Sequence, residues 1–371
     1  MARILLGCEY TTTFNSPRTP RTHTLFRVRM RDLRRFWRPL DAVAIGWLAS
    51  GFDLLHTFNR IPLTSKPWIT TFESIVPRTI GARQELLRDC IRDRLLFPNC
   101  KRIIAMSQYA VRKAQLHNRG WHKCNSLMQK ISVIHPNIAL RPRYGSYLGG
   151  ELSVVFVGND FARKGGISTL RMAKQALKMR LPVKFHIVSS LQNGPGICTD
   201  YPDKMVYAAD VAELKLLGLP NVQFHGTLPN TAVLELMARS HFVLLQTMDD
   251  TYGFSVLEGM AAGTPAIVSA VCALPEFVHS GKNGFTLKLP VDENGNWTHW
   301  NLRDRHEMRD ALDDAYTSLA SDGLKVITDT LERPESWQCL SQGAIERIRT
   351  QHDADTNGSR IEQMYTEALD S

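Results

Sequence analysis

The segment from Phe242 to Glu276, FVLLQTMDDTYGFSVLEGMAAGTPAIVSAVCALPE, constrains the fold more than any other part of the chain. Phe242 to Leu245 is a short apolar run of the kind that fills a parallel sheet covered on both faces. Asp249, Asp250, Thr251, Tyr252 and Gly253 then form a polar turn. Ser255 to Ala262 is expected to be helical, closed by Gly263 and Pro265, and a second apolar run follows. Strand, crossover helix and strand are the repeating unit of a doubly wound sheet. Asp250 and Glu258 flank the start of that helix, where unpaired backbone N–H groups and the positive dipole end favour an anionic ligand.

The same alternation extends in both directions. In the first part of the chain, Ala2 to Gly7, Asp53 to Phe58, Trp68 to Phe72, Arg102 to Met106 and Ile131 to Ile134 read as strands. Ile80 to Leu96 and Gln108 to Leu116 read as helices, with Ser107 as an N-cap for the second. A turn-rich stretch near Pro142 to Gly150 separates this series from another. The second series has strands at Leu152 to Val157, Val183 to Val188, Val222 to Phe224, Phe242 to Leu245 and Ala266 to Val268. Its expected helices lie near Gly166 to Met179, Ala212 to Leu217, Thr231 to Ala238 and Ser255 to Ala262. Strand character ends after Pro290; residues 304–322 and 338–350 read as helical, and Gly358 to Leu369 as a last amphipathic segment.

At 371 residues the chain exceeds a single core. The expected fold is therefore α/β, with two Rossmann-like doubly wound domains facing a cleft. Residues 1–147 form the first domain, 148–352 the second, and 353–371 a last helix returning to the first. In such sheets ligands bind beyond the carboxyl ends of the strands.

Charge is distributed unevenly. Residues 1–150 hold 25 Lys and Arg against 8 Asp and Glu, a balance of +17, whereas residues 151–371 carry −8. An asymmetry of this size points the first half at something anionic: a membrane surface, a phosphorylated acceptor or nucleic acid. Arg27, Arg29, Arg31, Arg34, Arg35 and Arg38, interleaved with Phe26, Phe36 and Trp37, would give a helix a basic face with an apolar edge, as in an interfacial segment. No nucleic-acid recognition motif accompanies the charge. The best apolar stretch, Leu40 to Leu55, is interrupted by Asp41 and Asp53 and is too short to cross a bilayer. The N-terminus reads as a first strand rather than a secretory signal. Seven scattered cysteines without a C-x-x-C pair fit a reduced, cytoplasmic setting and argue against a cysteine-built zinc site.

The first loop of the second series, Val157-Gly158-Asn159-Asp160-Phe161-Ala162-Arg163-Lys164-Gly165-Gly166, follows a strand and opens a helix. Its amides, with Arg163 and Lys164, are candidates to meet a phosphate, although its spacing is neither that of a Walker A loop nor that of G-x-G-x-x-G. Downstream come His225-Gly226, Asp250-x7-Glu258, the run Gly259-Met260-Ala261-Ala262-Gly263-Thr264-Pro265, then Pro275-Glu276 and Gly281-x-x-Gly284. With Lys164-Gly165, these elements resemble the retaining GT-B glycosyltransferases, in particular glycosyltransferase family 4 (glycosyltransferase group 1). The resemblance covers about residues 150–290; the first half shares only strand order and fragments such as DLLHTF, IIAMSQYA and ISVIHPN.

The resemblance implies a hexosyltransferase acting from a UDP- or GDP-sugar, with no further cofactor and no metal. It implies that Glu258 accepts hydrogen bonds from the ribose hydroxyls, that Lys164 faces the diphosphate, and that Asp250 contacts the hexose. The backbone of Gly253, Phe254 and Ser255 would meet phosphate or sugar, with Gly158, Asn159 and Arg163 in the phosphate loop. His225, Gly226, Thr227 and Leu228 fall where the base lies. Asp250 replaces a glutamate and Asn159 an arginine, for which Asp249 and Arg163 are the possible substitutes. Glu73 stands where many relatives carry a histidine near the sugar. The acceptor would be a glycan or lipid-linked hydroxyl, in cell-surface polysaccharide or glycolipid synthesis, at the inner membrane face.

Other readings of the same residues stand beside these. Ser255-x-x-Glu258 fits a capping box, so Glu258 would then only close its own helix. His225 also fits a satisfied core residue. Asp353-Ala-Asp355 mimics a metal-binding D-x-D but reads better as a solvated hinge before the last helix. Rival functions are a sugar-nucleotide epimerase or hydrolase, a non-catalytic sugar-nucleotide binder and a nucleic-acid-binding protein.

Overall fold

The computed structural model describes residues 1–7, 16–28, 30–33, 37, 40–45, 51–79, 85–143, 146–193, 199 and 211–371. They form two compact units, Met1–Ala139 with Gln351–Ser371, and Leu140–Thr350. Each contains a six-stranded sheet whose described pairings are all parallel. With helices packed on the sheets, this is an α/β chain of GT-B fold.

In the first unit the strands are β1 (Arg3–Gly7), β2 (Thr24–Val28), β3 (Arg31–Asp32), β4 (Val43–Ile45), β5 (Leu54–Phe58), β6 (Ile61–Pro62), β7 (Trp68–Phe72), β8 (Cys100–Ala105) and β9 (Ile131–Val133). The main sheet runs β2-β1-β5-β7-β8-β9, and β3, β4 and β6 form a small separate sheet. The central strand β7 is buried along its whole length, as expected of a parallel strand covered on both faces. Helices α1 (Glu85–Leu96), α2 (Gln108–Asn118) and α3 (Cys124–Lys130) pack in this unit. The Ala110 amide donates to Ser107 Oγ at 3.0 Å, fixing the start of α2.

The arginine-rich segment departs from the helical expectation. Thr24–Val28 is a strand paired with β1, and Arg3 lies 5.1 Å over the Phe26 ring. Its Thr, Phe and Val favour a pleated edge, and the exposed Arg27 needs no helix to reach water. Arg29, Arg34, Arg35, Phe36 and Arg38 lie outside the described residues, as do residues 80–84 of the first expected helix.

The chain returns to the first unit through its last helix, α9 (Ala354–Asp370), after α7 (Arg305–Glu332) and α8 (Ser336–Gln351). Asp353, in the stretch read as a solvated hinge, caps α9 by accepting from the Thr356 amide at 2.7 Å. Ile361, Tyr365 and Ala368 of α9 are buried against Ile4, Leu6, Leu54, Ile69 and Ile104 of the sheet. At the centre of this contact the buried His56 lies 2.7 Å from Tyr365 Oη through Nδ1 and 2.8 Å from Thr71 Oγ1 through Nε2.

The second unit begins at Leu140 because the next residues bond into it. Arg143 donates to Thr264 Oγ1 at 2.7 Å and to the Ser240 carbonyl at 2.9 Å, and stacks 4.5 Å over Trp337. Its strands are β10 (Leu152–Val157), β11 (Val183–Val188), β12 (Val222–Gly226), β13 (Phe242–Leu245), β14 (Ala266–Ser269) and β15 (Gly284–Leu287), in the order β12-β11-β10-β13-β14-β15. Helices α4 (Gly166–Lys178), α5 (Asn230–Arg239) and α6 (Phe254–Ala261) follow individual strands, and Ala212–Gly218 is a 3-10 helix. This is the doubly wound order whose direction reverses between β10 and β13. Among the described residues, no helix is long and apolar enough to cross a membrane.

Burial pushes His56 down to about 3, so it is neutral in the folded state and gains a proton near pH 6.5 when unfolded. The unfolded chain thus binds more protons between these values. This contribution is complete above pH 6.5 and declines as the pH falls toward 3. Tyr365→Phe leaves a buried ring nitrogen of His56 without its partner and is expected to cost about 1–3 kcal/mol. Urea unfolding at pH 7.5 and 5.5 checks both statements: the variant loses stability at pH 7.5, and wild type is less stable at pH 5.5.

Candidate functional site

The sheet reverses between β10 and β13, so the loops following these two strands flank one crevice at their carboxyl ends. The first holds Gly158 to Gly165 and the second Gln246 to Gly253. They approach closely. Gly165 has φ 95°, and a Cβ built on it would lie 2.5 Å from the Gln246 carbonyl oxygen. Only glycine fits there, both for its backbone angle and for its space.

Side chains join the same two loops. Lys164 Nζ forms an ion pair with Asp250 Oδ2, with the lysine side chain 22% and the aspartate 13% exposed. Asp250 Oδ1 accepts from the amides of Gly253 at 3.0 Å and Tyr252 at 3.3 Å. Burial would raise the Asp250 pKa, but the charge and hydrogen bond of Lys164, with Arg163 and the Tyr252 amide, hold it below the ordinary carboxylate value. Arg163 is buried, paired with Asp160 and donating to the Asp249 carbonyl at 2.8 Å. Thr247 Oγ1 donates to the Arg163 carbonyl at 2.9 Å.

The amides of the first loop turn inward. Lys164 N–H donates to the Asp160 carbonyl at 2.9 Å, Gly165 to Ala162 at 3.0 Å and Gly166 to Phe161 at 2.8 Å. These donors brace the loop, leaving the half-buried lysine side chain as its evident cationic feature. Asn159, at the exposed end, accepts from Ser190 Oγ at 3.0 Å, and the Gly158 amide donates to the Val188 carbonyl at 3.1 Å.

Helix α6 begins at Phe254 with Gly253 as its N-cap, at φ 87° and without a side-chain cap. Ser255 is thus already inside the helix, and the capping-box reading of Ser255 and Glu258 does not hold, because that box needs its serine at the cap. Phe254, Ser255 and Glu258 are half-buried on the first turns. His225 and Gly226 end β12, with Thr227 exposed and Leu228 half-buried just beyond. His225 Nε2 lies 3.0 Å from Nδ1 of His186, with the two rings stacked. Burial, His225 and Lys184 lower His186 to about 4, and burial and Lys184 lower His225. In the first unit, Glu73 follows β7 and accepts from Asn59 Nδ2 at 3.0 Å.

Residues 151–295 match the family model "Glycosyl transferases group 1". The match covers 145 of the 371 residues. Lys164, Asp250 and Glu258 all lie within it. Among curated proteins, the chain is similar to D-inositol 3-phosphate glycosyltransferases, 25% identical over 271 residues in Mycobacterium sp. (strain KMS), covering 69% of this chain and 55% of that protein. The Mycobacterium leprae (strain Br4923) protein of that name is 28% identical over 250 residues, covering 65% and 53%. The chain therefore spans about half the length of the curated relatives it matches. Among solved structures, Anabaena Alr3699/HepE in complex with UDP aligns with TM-score 0.61 at 13% identity, covering 99% of this chain and 100% of that one. Sucrose-phosphate synthase from Thermosynechococcus elongatus aligns with TM-score 0.59 at 17% identity, covering 96% and 87%. Both likenesses concern the fold.

The second unit also holds site-proximal residues that carry no signal in the sequence. His186 lies on β11, thirty-nine positions from His225, and only strand pairing brings them together. Cys272 occupies the left-handed region at φ 53° in the loop after β14, with its thiol 3.4 Å from Asp249 Oδ1. Nothing in the spacing of either marks it.

Gly165→Ala is expected to lower stability by about 1–3 kcal/mol, because the new methyl meets backbone rather than a movable side chain. Urea unfolding checks it; unchanged stability would show that the two loops are less tightly joined.

Proposed function

We propose that this protein is a retaining hexosyltransferase resembling family 4, moving a sugar from a UDP- or GDP-sugar to a hydroxyl of a glycan or lipid-linked acceptor. The observation that carries this reading is the Lys164–Asp250 pair across the point where the second sheet reverses, inside the glycosyltransferase group 1 match. An ammonium group held there, beside the start of α6, suits a diphosphate. The UDP complex of the Anabaena protein makes UDP-sugars the first donors to test.

In the proposed reaction the bond from the anomeric carbon to the diphosphate lengthens before the acceptor hydroxyl attacks. Positive character grows on the sugar and negative charge on the departing phosphate. Lys164 and the first amides of α6 stabilise that charge more in the transition state than in the bound donor, which lowers the barrier. The leaving phosphate oxygen takes the acceptor proton on the same face, so no separate protein base is needed. Glu258 accepts hydrogen bonds from the ribose hydroxyls, and His225 to Leu228 lie beside the base. The +17 balance of residues 1–150 supports an acceptor or membrane surface that is anionic, with the protein working peripherally at the cytoplasmic face. Synthesis of cell-surface polysaccharide or glycolipid fits such an acceptor.

Lys164→Ala is expected to reduce turnover more than donor affinity; a raised KM with normal kcat would contradict its role on developing charge. Glu258→Gln should weaken donor binding by about 1.5–3 kcal/mol, read by calorimetry with UDP-sugars and GDP-sugars. Unchanged affinity would remove Glu258 from the ribose.

A further inference from the structure

The pairings of the first unit's main sheet are all parallel, so the chain enters each of its strands at the same rim. Three segments meet where β7, β8 and β9 begin. Residues 62–68 lead into β7, residues 94–101 run from the last turn of α1 into β8, and residues 124–131 comprise α3 and the first residue of β9. Long side chains tie these segments together through backbone carbonyls. Arg94 donates to the carbonyls of Pro62 at 3.0 Å and Thr64 at 3.3 Å, and Asn99 Nδ2 donates to that of Thr64 at 2.8 Å. Lys130 Nζ donates to the carbonyls of Leu95 at 2.8 Å and Phe97 at 3.3 Å. The three segments thus present one fixed surface.

Two features set this surface apart. Leu63 is 42% and Phe97 46% exposed, and Arg94 brings them together, bonding the carbonyls on either side of Leu63 while lying 5.6 Å over the Phe97 ring. Pro98 is exposed beside them. The same segments hold Lys66, Arg94, Lys101 and Lys130 and contain no Asp or Glu. Among the described residues, none of these four cations has a carboxylate partner, and Asp93, just outside, is paired with Lys123 at 2.7 Å. A merely solvated surface intersperses charges of both signs. Exposed apolar side chains framed by cations of one sign instead match a layered partner, anionic at its surface and apolar just beneath, which is the cross-section of an anionic bilayer. A soluble acidic partner would meet the cations and leave Leu63 and Phe97 in water.

We propose that this rim is the surface the protein lays on an anionic lipid bilayer: Leu63 and Phe97 enter the boundary beneath the headgroups, and Lys66, Arg94, Lys101 and Lys130 face the lipid phosphates. This rests on the peripheral-membrane reading above and is independent of the transfer chemistry. It assigns the contact to the entry of β7, β8 and β9 rather than to the arginine-rich segment, of which Thr24–Val28 is an edge strand of the sheet.

Cosedimentation of the full chain with phosphatidylcholine vesicles, with and without phosphatidylglycerol, tests this. Wild type should bind the phosphatidylglycerol vesicles, bind pure phosphatidylcholine far less, and be released by salt. Leu63→Ser combined with Phe97→Ser should weaken binding about tenfold or more, and so should Lys66→Glu combined with Lys101→Glu. Both double variants should keep a Tm close to wild type, because none of the four side chains is buried. Arg27→Glu, on the exposed face of β2, should stay within about twofold of wild type. The proposal is overturned if both double variants bind as well as wild type, which would leave the membrane reading standing on another surface. It is equally overturned if Arg27→Glu weakens binding as much as the rim variants do, since net charge alone would then account for the attraction. Self-association or nucleic-acid binding that the rim variants abolish, with no vesicle binding by wild type, would assign the rim to that partner instead. Wild type that binds no anionic vesicle contradicts the peripheral-membrane reading itself, and this inference with it.

Discussion

The ion pair between Lys164 and Asp250 is the contact on which the geometry of the second unit's crevice depends. It joins the loops after β10 and β13, whose strands pair at the reversal of the sheet. Removing one partner of this partly buried pair leaves the other charge without its compensation. The pair therefore holds both loops in register. Its strength comes from proximity overcoming burial, since desolvation acts to protonate Asp250 and the ammonium prevents it. In the proposed function, a diphosphate offers the same ammonium a second anionic partner.

That pair stands on packing below it. Gly165 brings the first loop against the Gln246 carbonyl, and buried Gln246 reaches the Leu319 carbonyl of α7 through Nε2 at 2.7 Å. Thr247 ties the second loop back to Arg163. Arg163 is spent on Asp160 and the Asp249 carbonyl, so one of two neighbouring cations stabilises the turn while the other faces the crevice. Two cavities along α7, of about 440 and 550 Å³, contain none of the predicted site residues; the smaller is lined by the ion-paired Arg171, Glu213 and Asp313.

Much of this architecture was legible in the sequence. Apolar runs such as WITTF and FVLL announce parallel strands because both faces of such strands are buried. Gly284–Leu287 escaped notice because four residues beginning with glycine carry too little pattern, and its strand character comes from pairing with β14. The arginine-rich segment misled in the opposite sense: its charge spacing suited a helix, but Thr24–Val28 had a neighbouring strand to join. In the candidate site, spacing put Lys164 in the loop after β10 and Asp250 and Glu258 about the start of α6, where the structure has them, because each is tied to a strand end or helix start. Spacing could not show that the loop amides were already bonded, that Gly253 rather than Ser255 caps α6, or that His186 meets His225. Those facts belong to hydrogen bonds and strand pairing that only the folded chain defines.

In the proposed function a nucleotide-diphosphate sugar sits between the two loops of the second sheet. Amide hydrogen exchange of the wild-type protein, with and without saturating UDP- or GDP-sugar, tests it most directly. Slowed exchange concentrated in residues 158–166 and 250–258 is the predicted result. Protection confined to other segments, at concentrations where binding is complete, would contradict it.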